Sequence, residues 1–293
     1  MSTPPAQSPL RALGGAMENA EALDEPGKAI GKQVRSALGP GPLKDLLSGT
    51  WMGHALHPIL TDVVIGSFTS ATILDLVGGK DSAPAARRLV GIGLLSYGPT
   101  ALTGVNDWAD SEPASDGVRR VGLIHAASNA VAATLYTMSW RARGKGRRGR
   151  GIVYGLAGAG ALTAGGFLGG HLTYAQGVGV NQTVFDEGPD EWTPALDGSQ
   201  LPEGQARATV VGETPVVLIR EDGRVQALHD RCSHRGCSLA DTGTVADGYI
   251  ECGCHGSRFD LSSGNVVRGP ATTDQPAYEV REQGDRIEIR LPT

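Results

Sequence analysis

Four long stretches of weakly polar sequence, about 55–79, 89–108, 121–140 and 152–176, constrain this chain more than any other feature. Each is close to the roughly 20 residues that a helix needs to cross a bilayer. Gly, Ala, Ser and Thr dominate them, as where transmembrane helices pack closely without a hydrophobic force between them. They predict a four-helix transmembrane domain over residues 54–177, preceded by a loose or surface-lying arm, 1–53, rich in Pro, Gly and Ala. A soluble Ala-rich bundle is the competing reading, because Asp62, Asp75 and several histidines lower the hydropathy. Against it, the segments are too apolar for amphipathic surface helices.

Loop charge orients the bundle. Arg141, Arg143, Lys145, Arg147, Arg148 and Arg150 lie between the third and fourth segments, whereas no Lys or Arg follows the fourth until Arg207. The positive-inside rule puts the basic loop in the cytoplasm and whatever follows the fourth helix outside. Loop 80–88, with Lys80, Arg87 and Arg88, falls inside too. Loop 109–120 balances Arg119 and Arg120 with Asp110, Glu112 and Asp116 and falls outside. Arg147-Arg148, directly before the fourth segment, reads either as an internal twin-arginine export signal or as plain positive-inside charge.

From about Phe185 the texture changes to short β-type runs separated by turn signals. Val216–Arg220, Asp222-Gly223 and Val225–Leu228 read as a hairpin, and Tyr249–Cys252, Tyr278–Arg281 and Ile287–Leu291 as further strands. The fold class is therefore α + β in separate domains, with an all-β domain over 183–293. From Thr183 onward there are 10 Arg, no Lys and 19 Asp plus Glu, a charge of −9 against +4 for the first 182 residues. Such an acidic domain repels nucleic acid and suits a redox partner with a basic docking face.

All four cysteines lie between 232 and 254, in the strings CSHRGC and CGCHGS. Cys232-x-His234 and Cys252-x-x-His255 each offer one thiolate and one imidazole, the set that places two Cys on one iron and two His on the other of a [2Fe–2S] cluster. Structural zinc accepts the same four atoms, but its usual spacings group Cys with Cys and His with His. The remaining pair, Cys237 and Cys254, reads as a disulfide pinning the two loops together, which suits the oxidising side of a membrane.

On these motifs residues 183–293 resemble a Rieske domain of the disulfide-containing kind found in quinol–cytochrome c reductases and related membrane electron-transfer chains. The resemblance implies a three-sheet β fold and a cluster at its tip with partly exposed histidines. It also implies Cys232 and Cys252 on the iron that stays ferric, with His234 and His255 on the iron that changes valence. A Pro-containing covering loop would begin at Gly269-Pro270, and Ser257 would donate its hydroxyl to a cluster sulfur. Phe259 stands where high-potential members place a tyrosine, and Arg235 where an apolar residue is expected. The strings GHALHP, at Gly53–Pro58, and GGHLTY, at Gly169–Tyr174, resemble a bacterial family of predicted four-helix membrane domains of unknown function.

Intramembrane ionisable groups are functional candidates by default. His57, Asp107, His125 and His171 fall at one predicted depth, near the outer helix ends, where they could hold haem b between two imidazoles, a metal ion or a quinone head group. Interfacial anchoring by the same histidines is the plainer reading; His229, outside both cluster motifs, reads as a packed or surface residue. The expected whole is an integral protein of a bacterial cytoplasmic membrane, with its Rieske domain on the outer face. It would serve as the electron-transfer component of an oxidoreductase, passing single electrons from a quinol or haem donor to a redox partner protein. A redox sensor and a ferredoxin-like donor to an oxygenase are the alternatives.

Overall fold

The computed structural model describes residues 9–293, so the first eight residues of the expected arm lie outside the described residues. The chain forms helices α1 (Pro9–Glu18), α2 (Asp24–Ala37), α3 (Pro42–Ser48), α4 (Leu56–Val77), α5 (Ala83–Ser111), α6 (Asp116–Gly144) and α7 (Arg148–Gly170), the last running into a π-helical turn, His171–Ala175. Strands β1 (Thr193–Asp197), β2 (Ala206–Val211), β3 (Thr214–Glu221) and β4 (Arg224–His229) follow. After the short helix α8 (Leu239–Thr242) come β5 (Thr244–Ala246), β6 (Tyr249–Glu251), β7 (Arg258–Asp260), β8 (Val266–Arg268), β9 (Ala277–Gln283) and β10 (Arg286–Arg290). Two compact units result: one from the described residues up to Ala37 with Leu56–Val178, the other from Leu38–Ala55 with Gly179–Thr293.

In the helical unit, α4 and α6 each contact both α5 and α7, so α4 and α6 lie diagonally across a four-helix bundle. The bundle is tight because glycines admit large rings. Phe68 of α4 stacks on Tyr136 of α6 with ring centroids 3.7 Å apart, both 1% exposed. A Cβ at Gly93 of α5 would come within 2.5 Å of the Phe68 ring, and one at Gly158 of α7 within 3.0 Å of Tyr136. Leu56–Val77 and Arg148–Ala175 are long and apolar enough to cross a membrane. The 29-residue α5 and α6 are longer but carry charges at both ends.

Residues 9–37 of the expected loose arm are helical and packed. An ion network at the loop between α5 and α6 holds them, because guanidinium groups this deeply buried must be paired. Arg119 is 5% exposed and pairs with Glu112, Asp116 and Asp24. Arg120, 8% exposed, grips both carboxylate oxygens of Asp24 at 2.8 and 2.6 Å, and Arg35 reaches Glu112 at 2.7 Å. Asp24 is thereby held below the usual carboxylate range, first by its hydrogen bonds from Arg120.

The second unit contains a six-stranded antiparallel sheet, β1-β10-β9-β4-β3-β2, and a four-stranded one, β5-β6-β7-β8. Three sheets were expected. The first two residues of β9 pair with β4, Ala227 with Tyr278 and Leu228 with Ala277, and this fuses two of them into one. The predicted hairpin forms as β3–β4 on a two-residue turn, with Asp222 at φ 51° and Gly223 at φ 71°, the left-handed pair such a turn requires. The core between the sheets contains Val217, Ile219, Leu228, Ile250, Phe259 and Leu261, and Cys232 and Cys252 belong to it.

Candidate metal centre

Two loops of the β unit build the site, and they are conformational twins. The Cys232 amide donates to the Cys237 carbonyl at 2.8 Å and the Gly236 amide to the Cys232 carbonyl at 2.8 Å. In the second loop the Cys252 amide donates to the Ser257 carbonyl at 2.8 Å and the Gly256 amide to the Cys252 carbonyl at 2.9 Å. Gly236 (φ 76°) and Gly256 (φ 81°) take the left-handed turn at equivalent places, where a side chain would be strained. The Cys237–Cys254 disulfide cross-links the loops.

Between the twin loops, Cys232 and Cys252 are free thiols, 1% and 2% exposed, close enough for each to shift the other's ionisation. The partly buried His234 and His255 rings have centroids 5.1 Å apart and cross at 85°. The sulfurs of Cys237, Cys252 and Cys254 also cluster, but the disulfide removes two of them as thiolates. Sharing a proton with Cys232 is the main influence that brings Cys252 down to about 7, helped by the Cys254 and His255 amides; Cys232 is pushed up correspondingly. Burial, then the positive charges of Arg235, His255 and Lys44, hold His234 well below the usual imidazole value. A neutral imidazole and an anionic sulfur are the protonation states that metal ligands need. Two adjacent sulfurs and two adjacent imidazoles on cross-linked loops thus fit a cluster with one iron in each ligand environment.

The surroundings hold these loops in place. The Gly269–Pro270 peptide is cis, and the next residue, Ala271, donates its amide to Ser257 Oγ at 3.0 Å, which ties the covering loop to the second twin loop. As an acceptor in that bond, the Ser257 hydroxyl keeps its hydrogen for another partner. Phe259, fully buried, packs in the same cluster as Cys232, Cys252 and Ala271.

Gln275 and residues 38–52 carry no sequence signal, while His229, read as packed or surface, is packed. Gln275, 1% exposed, donates to the carbonyls of His229 and Arg231 at 2.6 and 2.7 Å and accepts from Ser233 N at 2.9 Å, bracing the first loop from behind. His229 is fully buried, accepts from the Arg231 amide at 3.0 Å and pairs with Asp186 at 3.1 Å. A strap, residues 38–55, belongs to this unit as well. Asp45 accepts from the Gly269 amide at 3.0 Å, Thr50 donates to the Ala271 carbonyl at 3.2 Å, and Pro40 lies against Gly256. Lys44, 3% exposed, is near enough for its charge to act on His234. Residues 38–52, with Pro40, Pro42, one Lys and one Asp, carry no motif, so nothing in the sequence announces their place here.

The histidines of the helical unit are tied between helices. His57 Nδ1 donates to the Thr100 carbonyl at 3.0 Å, His125 Nδ1 to the Gly165 carbonyl at 2.8 Å, and His171 Nε2 meets Glu18 of α1 at 2.7 Å. Asp107 accepts from the Asn106 amide at 3.1 Å. Among the described residues these four are not gathered as a three-ligand metal set.

Two family models match the chain: the Rieske [2Fe-2S] domain over residues 191–279, and the predicted membrane protein family DUF2231 over 53–182. The anthranilate 1,2-dioxygenase ferredoxin subunit of Burkholderia cepacia is 30% identical over 101 residues, covering 34% of this chain and 93% of that protein. The 3-phenylpropionate/cinnamic acid dioxygenase ferredoxin subunit of Escherichia coli (strain K12) is 34% identical over 95 residues, 32% of this chain and 88% of its own length. Among solved structures, the ferredoxin of carbazole 1,9a-dioxygenase from Nocardioides aromaticivorans IC177 is 28% identical and covers 35% of this chain and 100% of its own, with a TM-score of 0.33. A Rieske domain implies a [2Fe–2S] cluster. Through its C-terminal domain the chain belongs to the Rieske iron–sulfur family, joined to a DUF2231 domain, and its chemistry is electron transfer.

Proposed function

We propose that this protein carries single electrons from a donor in a bacterial cytoplasmic membrane to an acceptor protein on the outer face. Cys232 and Cys252 would hold the iron that stays ferric, and His234 and His255 the iron that changes valence. The observation that carries the assignment is the pairing of two buried thiols with two neighbouring imidazoles on disulfide-linked loops. Bound there, the cluster supplies one-electron chemistry at a potential raised by its neutral imidazole ligands. The chain's own part is to keep the sulfurs dry, to fix the loops through Gln275, Ser257 and the disulfide, and to leave the histidine edge as the electron's exit. Charge asymmetry across the loops supports the outer placement, as does a disulfide that persists on the oxidising side.

A second reading, an electron donor to an oxygenase, draws on the relatives that are ferredoxin subunits of dioxygenases. Cytoplasmic exposure of residues 183–293 would favour it, because those relatives' partners are oxygenases rather than membrane chains. Purification in detergent, with absorption and EPR spectra before and after dithionite, is the primary test. A reduced-state Rieske signal is expected, and a protein holding only zinc sinks the proposal. Protease accessibility in oriented vesicles then decides between the two acceptors.

A further inference from the structure

The helical bundle is built from two equivalent hairpins. Advancing by 68 residues carries His57, Thr61, Phe68 and Asp75 of α4 onto His125, Asn129, Tyr136 and Arg143 of α6. Advancing by 65 residues carries Gly93, Thr100 and Gly104 of α5 onto Gly158, Gly165 and Gly169 of α7. The contacts repeat with the numbers. Phe68 and Tyr136 stack between Gly93 and Gly158, and Asp75 pairs with Arg143. His57 bonds the Thr100 carbonyl while His125 bonds the Gly165 carbonyl. A Cβ at Gly104 would lie 2.6 Å from His57 Cε1, and one at Gly169 would lie 3.2 Å from His125 Cε1. Even the side chains four residues on agree: Thr61 donates to the His57 carbonyl at 2.8 Å and Asn129 to the His125 carbonyl at 3.0 Å.

This symmetry says where the two imidazoles point. Each histidine precedes its stacked aromatic by eleven residues, three helical turns to within about 20°. His57 therefore leaves α4, and His125 leaves α6, on the face whose Phe68 and Tyr136 rings meet across the diagonal. A carbonyl can only accept, so each Nδ1 carries the ring proton and each Nε2 presents its lone pair. Such a backbone-anchored Nδ1 is the usual support of a metal-binding imidazole. Asn129 Nδ2 lies 3.2 Å from His125 Nε2, which agrees with an acceptor there. Among the described residues no further His, Cys, Asp or Glu joins the pair to make a three-ligand set. A metal held by only these two imidazoles must bring its own equatorial ligands.

We propose that His57 and His125 are the two axial ligands of one haem, bound across the diagonal between α4 and α6 with Asn129 turned aside. His57 and His125 are two of the four groups that the sequence set at one depth. Here His171 is the tie from α7 to α1 and stays outside the site. The site is independent of the cluster, and its failure would leave the electron-transfer reading standing.

The test uses the full-length protein, expressed with haem precursor, purified in detergent and, if it emerges without haem, titrated with haemin. One haem per chain with a low-spin bis-imidazole spectrum is expected. His57→Ala and His125→Ala should each lose it, whereas His171→Ala keeps it. Should either alanine variant fail to fold, His57→Met and His125→Met replace it, and each should shift the spectrum to that of mixed ligation. No haem and no haemin binding by the folded wild type overturns the proposal. Unchanged spectra in the His57 and His125 variants overturn it equally, and the Rieske EPR signal, read in the same samples, reports on the cluster separately.

Discussion

Phe259 and Lys44 show how much a single side chain can set at the cluster. Phe259 is fully buried in the same packed group as both thiols. Phe259→Tyr adds a hydroxyl there, and a donor to a thiolate stabilises the more electron-rich reduced state. The reduction potential should rise by tens of millivolts, since about 59 mV is a tenfold change for one electron. An EPR-monitored redox titration that finds no change, or a fall, would mean that the ring does not face the cluster. Lys44 offers a positive charge: its ammonium favours the reduced cluster, which carries one more negative charge. Lys44→Gln should lower the potential, Lys44→Arg should largely preserve it, and both should keep the Rieske line shape in the same titration.

At the level of elements, cross-links tie separate segments together. The disulfide closes a loop of 17 residues, which on chain-entropy grounds restrains the unfolded chain by about 3 kcal/mol. Cys237→Ser should lower the thermal midpoint of the β unit and speed cluster loss, followed by the bleaching of its visible absorption. In the helical unit, α2 is held largely through Asp24. Its carboxyl is depressed below the ordinary 3.8 by Arg120 first, then Arg119 and Lys28. A depressed folded pKa means stability that is present above the unfolded value and lost as pH falls through the folded one. Pepsin cleavage within residues 18–37 should therefore rise as pH falls below 3.8, and Asp24→Asn should expose the same bonds at higher pH. A cleavage rate indifferent to Asp24→Asn would rule out this tether.

At the scale of the whole molecule, the proposed topology requires export of the C-terminal domain. Arg143 is tied to Asp75, and Arg148 donates to the Gly79 carbonyl at 2.8 Å, so part of the basic loop is engaged within the bundle. If Arg147-Arg148 is read by a twin-arginine receptor, Arg147→Lys with Arg148→Lys should leave residues 183–293 in the cytoplasm although the charge is kept. Correct export of the double variant, scored by protease accessibility in spheroplasts, would reject the signal and retain the topology.

The sequence alone determined what local rules govern. Segment lengths announced the four long helices, Asp222-Gly223 announced the β3–β4 turn, and two Cys/His strings announced the cluster loops and their disulfide. Spacing suffices there because ligand chemistry, turn geometry and helix length each act over a few residues. Tertiary structure decided everything that depends on partners tens to hundreds of positions away. It brought Asp45 to Gly269 and Gln275 behind the first cluster loop, and it fused two expected sheets through β4 and β9. The 68- and 65-residue repeat was written in the numbering all along, but His57/His125, Phe68/Tyr136 and Asp75/Arg143 share too little identity to be seen as one. Only packing reveals it, because each pair is defined by which ring, carbonyl or counter-charge meets it across the bundle.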